Sequence, residues 1–354
     1  MKKWNLIAVA AALIVLLVAP MGLKKYGLYL LSYWMIFVIA TMGLNLVLGY
    51  AGQKSLGHAA FMAIGAYTVA ILQAHGVNFW LAMPAAAALA FVMGWLVGYP
   101  ALRVQMHYLA FATLGFNEVL MLVIRNEEWL TGGTFGINNI ARPAGLVSDT
   151  AFYYVIFGFA LVICGLLYLL LRSPWGRAFT ALRDNPLRAE SLGINIQRYT
   201  LMAFAIGAAI AGLAGGLFAG LVNFIEPIPF SAQSSIMMYL MVVIGGSGYF
   251  LGPILGAAIG VILPEWLREF QGWYLVVFGL SVMMLMVWLP GGLLSIPDMI
   301  RQKKAAKIAN LARAAHAARL KAEQEAEQKA EQKTEQLGNP AVEPAAPASK
   351  GAPA

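Results

Sequence analysis

Charge is what this sequence has least of. Only 11% of its 354 residues are Asp, Glu, Lys or Arg, whereas 60% are apolar or aromatic and the mean hydropathy is +0.73. A soluble domain carries about 25% charged and about 45–50% apolar residues. No single core could bury such an excess over this length. The shortage excludes a soluble enzyme, a nucleic-acid binder and a disordered chain, and leaves an all-α, polytopic membrane protein. Cysteine is nearly absent too. Cys164, the only one, lies in an apolar run, can form no intrachain disulfide and reads as inert packing. The four histidines, His58, His75, His107 and His316, show no metal-ligand spacing. There is no G-x-S-x-G element, no carboxylate pair within an apolar segment and no G-x-x-x-x-G-K-[ST] phosphate loop. ATP hydrolysis by that route is therefore excluded, an enzyme finds little support, and no cofactor or metal is expected in the chain.

What remains is a series of apolar segments. The first, from Leu6 to Val18 behind Lys2 and Lys3, has the shape of a signal peptide but lacks a small-x-small cleavage site, so it reads as a retained helix. Others follow at 26–49, 56–73, 79–99, 106–124, 151–171, 199–221, 235–250, 252–267 and 273–289. A crossing needs about 20 residues, so the 235–267 pair is short for two crossings and suits a tight hairpin or a re-entrant element. The total is about ten crossings. Residues 1–297 hold 14 of the 24 Lys and Arg and 9 of the 16 Asp and Glu, leaving 10 and 7 for the last 57 residues. The arginine-rich interruption at 172–198 and the basic start of the tail both belong on the cytoplasmic face by the positive-inside rule. Ten crossings from a cytoplasmic N-terminus satisfy this and make 125–150 an external loop, with Lys24 and Lys25 facing outward as the one violation. Residues 1–297 form the transmembrane domain. Residues 298–337, rich in Ala, Glu, Gln and Lys, suit a polar helical tail, and 338–354, rich in Pro and Ala, suit a disordered end.

An internal repeat is visible. Met42 to Gly52 matches Met238 to Gly248, and with a one-residue gap Leu56 to Gly65 matches Leu251 to Gly260. Duplicated halves with broken helices are a transporter habit, and the helix count makes these copies parallel.

Polar residues inside apolar segments must be satisfied or face a cavity. The densest group, Asn45, Gln53, Lys54, Ser55 and His58, surrounds the first glycine-rich copy. It reads either as a helix break that frees backbone groups for a substrate or as a polar turn at the membrane surface. Glu118, with Asn117 beside it, is the clearest carboxylate within an apolar segment. Asn223 and Glu226 suit an external turn ahead of Pro227. In the 172–198 interruption, Ala178 to Leu192 reads as one short charged helix carrying Arg183, Asp184, Arg188 and Glu190, closed by Gly193. Such a helix lying flat on the membrane suits docking into a partner's groove, whereas positive-inside anchoring would explain the arginines alone.

Gly49 to Tyr67, Tyr108 to Glu118 leading to Thr131 through Ile137, Gly176 to Gly193, and Met241 to Gly248 together resemble the branched-chain amino acid permease family of ABC importers. The resemblance spans about 26–297. It implies a heteromeric importer in the bacterial inner membrane with both termini cytoplasmic. A second, related permease would complete the path and two cytoplasmic ATPases would carry ATP and Mg. A periplasmic binding protein would deliver Leu, Ile or Val. It places Asn45, Gln53, Ser55, His58, Asn117 and Glu118 as candidates for the substrate path and Arg183, Asp184, Arg188, Glu190 and Gly193 in the ATPase-coupling helix. Thr131, Gly132, Gly133 and Phe135 become candidates for contact with the binding protein. Two features depart from the pattern: Glu190-Ser191-Leu192-Gly193 is shorter than the general importer signature, and Lys54 stands where the family commonly has an apolar residue. An ion-coupled secondary transporter would share the duplicated halves and broken helices, but would carry more buried charge than a lone Glu118. A membrane-embedded enzyme or scaffold lacks a catalytic constellation.

Overall fold

The computed structural model describes residues 3–101, 106–143, 145–267, 274–289 and 291–297, with isolated positions up to 317. The chain divides into two units, 1–296 and 297–354. The expected tail helix over 298–337 and the Pro/Ala-rich end lie outside the described residues, isolated positions aside.

The first unit is a multi-pass helical bundle. Its helices are α1 (Lys3–Gly22), α2 (Lys25–Asn45), α3 (His58–Ala74), α4 (Phe79–Ala101), α5 (Met106–Asn126), α6 (Glu128–Thr131), α7 (Asp149–Arg172), α8 (Pro174–Asp184), α9 (Pro186–Ser191), α10 (Ile196–Val222), α11 (Ala232–Gly245), α12 (Gly252–Leu267) and α13 (Tyr274–Trp288). Five stretches are long and apolar enough to cross a membrane: Lys25–Tyr50, Phe79–Pro100, Tyr108–Asn126, Asp149–Arg172 and Ile196–Val222. Helices α3, α11 and α12 are apolar but shorter.

Helix α10 is the axis of the bundle. Seventy-eight per cent of its most apolar window is buried, against 28% for α5 and α7. Small residues let its neighbours approach closely, the usual means of packing where lipid removes the hydrophobic drive between helices. Gly65 of α3 lies so near the Gly212 backbone that it has no room for a side chain, and a side chain on Gly212 would in turn meet Ala90 of α4. At about 1.5 Å per residue, the 27 residues of α10 separate two ends of the bundle by about 40 Å. One end carries α8 and α9. The other carries a feature unseen in the sequence, a two-residue antiparallel pair in which β1 (Ile137–Asn138) meets β2 (Phe224–Ile225). Segments expected to face outward independently, 125–150 and the turn at Asn223–Glu226, are thus joined. Arg142 reinforces the join, donating to the carbonyls of Gly220 and Leu221 at 3.2 and 3.3 Å and pairing with Asp149 at 2.7 Å.

The 235–267 region is a hairpin of two helices, α11 and α12, closed by 246–251. Helix α12 runs antiparallel to α2. The Tyr26 hydroxyl donates to Glu265, Trp34 Nε1 to the Ile254 carbonyl and Asn45 to the Tyr249 carbonyl. Since α11 also runs opposite to α12, the leading helices of the two repeat copies, α2 and α11, are parallel.

Candidate functional site

The two glycine-rich copies meet face to face at the α8–α9 end. Helix α2 widens into a π-helical turn over Leu46–Tyr50, which brings Gly49 against the Gly248 backbone. Asn45 clasps the junction. Its Oδ1 accepts from the Gly248 amide at 2.9 Å and its Nδ2 donates to the Tyr249 carbonyl at 3.0 Å. Gly248 has φ +83°, a conformation L side chains avoid, and a Cβ there would press on the Arg183 guanidinium. Arg183 completes the clasp, donating from Nη1 to the Gly49 carbonyl at 2.8 Å while Nε and Nη2 reach Asp184.

Arg183, expected to project from a charged helix, thus also reaches inward to the Gly49 carbonyl while its side chain stays partly exposed. That segment is not one helix. Ser173 caps α8, accepting from the Trp175 amide, and Asn185 caps α9, accepting from the Arg188 amide. The break falls at Asn185 because Pro186 disfavours helical backbone in the residue before it and is itself well suited to a first helical turn. Gly193 ends α9 at φ +82°, its amide donating to the Glu190 carbonyl at 2.8 Å. Phe179 and Leu182 are buried beneath α8 and Ala189 beneath α9, whereas Arg188, Glu190, Leu187 (78% exposed) and Leu192 (80% exposed) project outward.

Between α2 and α3, residues 51–57 leave the helix and run inside the bundle. Side chains of neighbouring helices satisfy the freed backbone. The Leu56 amide donates to Thr113 Oγ1 at 3.0 Å and the Ala59 amide to Ser235 Oγ at 2.9 Å. Ser235 donates on to Asn117 Oδ1, and Asn117 Nδ2 reaches the Phe230 carbonyl at 3.4 Å. His58 Nε2 lies 3.0 Å from the Ala40 carbonyl. A carbonyl only accepts, so Nε2 carries the proton. Ser55 Oγ is buried with no hydrogen-bond partner among the described residues. Ser55, His58 and Asn117 are thus brought to one buried polar seam, while Gln53 turns back onto the Ala51 carbonyl and Lys54 is exposed. Thr113 and Ser235 were missed. Thr113 sits one helical turn before Asn117, a spacing that puts both on one face; Ser235 gave no signal beyond being polar.

Asn117 and Glu118 part company. Asn117 is buried, but Glu118 lies about 100° further round α5 and is exposed. The loop at the opposite end divides similarly. Thr131 is buried, accepting from the Gly133 amide and donating to the Ile124 and Glu127 carbonyls, and Gly133 is buried as well. These two residues build the turn, Gly132 is half-buried, and Phe135 stands out at 84% exposed.

Residues 26–288 match the family model of the branched-chain amino acid transport system/permease component. The chain belongs to this family. It is 36% identical to the high-affinity branched-chain amino acid transport system permease protein LivM of Escherichia coli K12, over 84% of this chain and 77% of that protein. It is 24% identical to a probable branched-chain amino acid transport permease protein LivM of Methanocaldococcus jannaschii, over 73% and 86%. It is also 27% identical to the autoinducer 2 import system permease protein LsrC of Salmonella typhimurium LT2, over 73% and 80%. No solved structure matches the chain. The clasp, the polar seam and the capped segment all fall within the family match.

In this permease-family chain Asn45 holds together the two glycine-rich copies. Asn45→Leu would strand the part-buried Gly248 amide, at a cost of about 1–3 kcal/mol, while the Tyr249 carbonyl keeps the Gly252 amide at 3.2 Å. The thermal midpoint of the purified protein in detergent is expected to fall by several degrees. An unchanged midpoint would show that the clasp contributes nothing to stability.

Proposed function

We propose that this chain is one of two membrane permease subunits of an ATP-driven importer for branched-chain amino acids. The carrying observation is the capped α8–α9 segment, which projects Leu187 and Leu192 outward while Arg183 reaches inward to the Gly49 carbonyl. One element thus offers a partner its exposed face and touches the helix break with the other. ATP is bound and split on two cytoplasmic ATPases docked at α9, and a second, related permease forms the other half of the path. An external binding protein delivers Leu, Ile or Val to the β1–β2 end, where Phe135 and Trp129 (82% exposed) project. The ten helices α1–α5, α7 and α10–α13 cross the bacterial inner membrane, with both termini and α8–α9 in the cytoplasm. Closure of the ATPases moves α8 and α9 and switches the path between inward- and outward-facing states, as differential binding to two states requires.

The test is reconstitution of the permease pair, ATPases and binding protein in proteoliposomes. ATP-dependent uptake of labelled leucine, competed by isoleucine and valine, is the expected result. A complex that carries autoinducer 2 but no leucine would overturn the substrate assignment.

A further inference from the structure

Glu118 sits near the centre of Tyr108–Asn126, a stretch apolar enough to cross a membrane, and its side chain is exposed. Its nearest neighbours on that face of α5 are apolar, Phe111 69% exposed and Leu122 58%, and among the described residues nothing fills the space beside Gly115, one turn before Glu118. Neither a hydrogen bond nor an ion pair engages Glu118 among the described residues. A carboxylate there cannot face hydrocarbon cheaply. Ionisable residues at membrane depth turn toward protein or a water-filled cavity and find a counter-charge. Arg125, seven residues further along the same face and about 10 Å nearer the β1–β2 end, is likewise exposed and unpaired among the described residues. The face thus presents an acid at mid-span, a base toward one mouth, apolar side chains between and clear space at Gly115.

We infer that the Glu118 face of α5 is the wall of the aqueous substrate path, and that Glu118 receives the ammonium group of the transported amino acid. The inference rests on the function proposed above. A branched-chain amino acid carries one ammonium, one carboxylate and a compact apolar side chain, and this face offers complements to all three. Arg125 meets the carboxylate as the substrate enters, Glu118 draws the ammonium inward, and Phe111 and Leu122 cover the side chain. Gly115 leaves the room a passing molecule needs. The buried Asn117 seam lies behind this wall and holds α5 to α3 and α11.

Thiol accessibility tests the path without depending on cargo. Single cysteines are placed at Gly115, Glu118 and Leu122 in a Cys164→Ala background, with Leu166→Cys on the exposed side of α7 as control, in the full complex in membrane vesicles. A charged, membrane-impermeant methanethiosulfonate is expected to label the three α5 positions and spare the control. No labelling at 115 and 118 in a complex that retains its ATPases would overturn the inference, whatever the cargo. The ammonium assignment is read by Glu118→Gln. The KM for leucine should rise by about tenfold or more, equivalent to about 1.4 kcal/mol, with ATPase association unchanged, and Glu118→Asp should recover part of it. Labelling with an unchanged KM in Glu118→Gln would keep the path and reject the ammonium contact. Absence of leucine uptake by the unaltered complex would instead reject the proposed function.

Discussion

Arg183→Ala is expected to lower ATP-driven uptake by about tenfold or more while leaving the ATPases bound. The guanidinium is engaged within the chain. It reaches the Gly49 carbonyl at 2.8 Å and lies against Gly248, so it touches both glycine-rich copies at the point where they meet. Its pairing with the neighbouring Asp184, both partly exposed, contributes little, as exposed ion pairs generally do. What alanine removes is the polar link between α8 and the π-helical turn. From there the chain runs through 51–57 to the Thr113, Ser235 and Asn117 seam. A stroke delivered to α8 and α9 would then move those helices without shifting the break, and ATP would be split without transport. The ratio of ATP hydrolysed to leucine carried is the decisive readout, with Arg183→Lys, which keeps one donor but loses the planar fork, falling between. Loss of the ATPases from Arg183→Ala would make this a docking residue, and an unchanged ratio would remove it from coupling altogether.

Leu187→Asp combined with Leu192→Asp is expected to abolish association with the ATPases. Both leucines are almost fully exposed on a segment whose inner face is anchored by Ala189 and whose ends are fixed by Asn185 and Gly193. An apolar pair held this rigidly suits the centre of an interface, where truncating an anchor costs about 2 kcal/mol or more. Two such losses weaken binding by about a thousandfold, beyond what co-purification survives. Neither substitution touches the bundle, so the isolated subunit should keep its thermal midpoint. Retention of the ATPases at the unaltered level would move the docking surface away from α9.

The sequence offered the helix break as one of two readings of the glycine-rich polar stretch, the other being a polar turn at the membrane surface. It did not show what that break meets. Glu118 and Asn117, adjacent in the chain, lie on different faces of α5, and only the packing of α5 against α3 and α11 says which is inside. Thr131 looked like part of an external surface because it lies in a polar loop, yet its hydroxyl organises the turn from within. The division of the 172–198 segment into two helices was readable in Asn185-Pro186, a capping residue before a proline. Taking Ala178 to Leu192 as continuous ignored the restriction that proline imposes on its predecessor.

The low charge by itself determined that the chain lives in a membrane, because hydrophobic burial depends on composition and segment length and hardly on topology. Family-specific runs of residues carried the relationship to branched-chain amino acid permeases, since local sequence survives in them. The tertiary structure alone decided that the two repeat copies face each other, that Asn45 and Arg183 clasp them, and that β1 pairs with β2. Those contacts join residues 134 to 204 positions apart in the case of Arg183 and Asn45. No local pattern specifies such partners, which exist only once α10 has gathered the other helices around it.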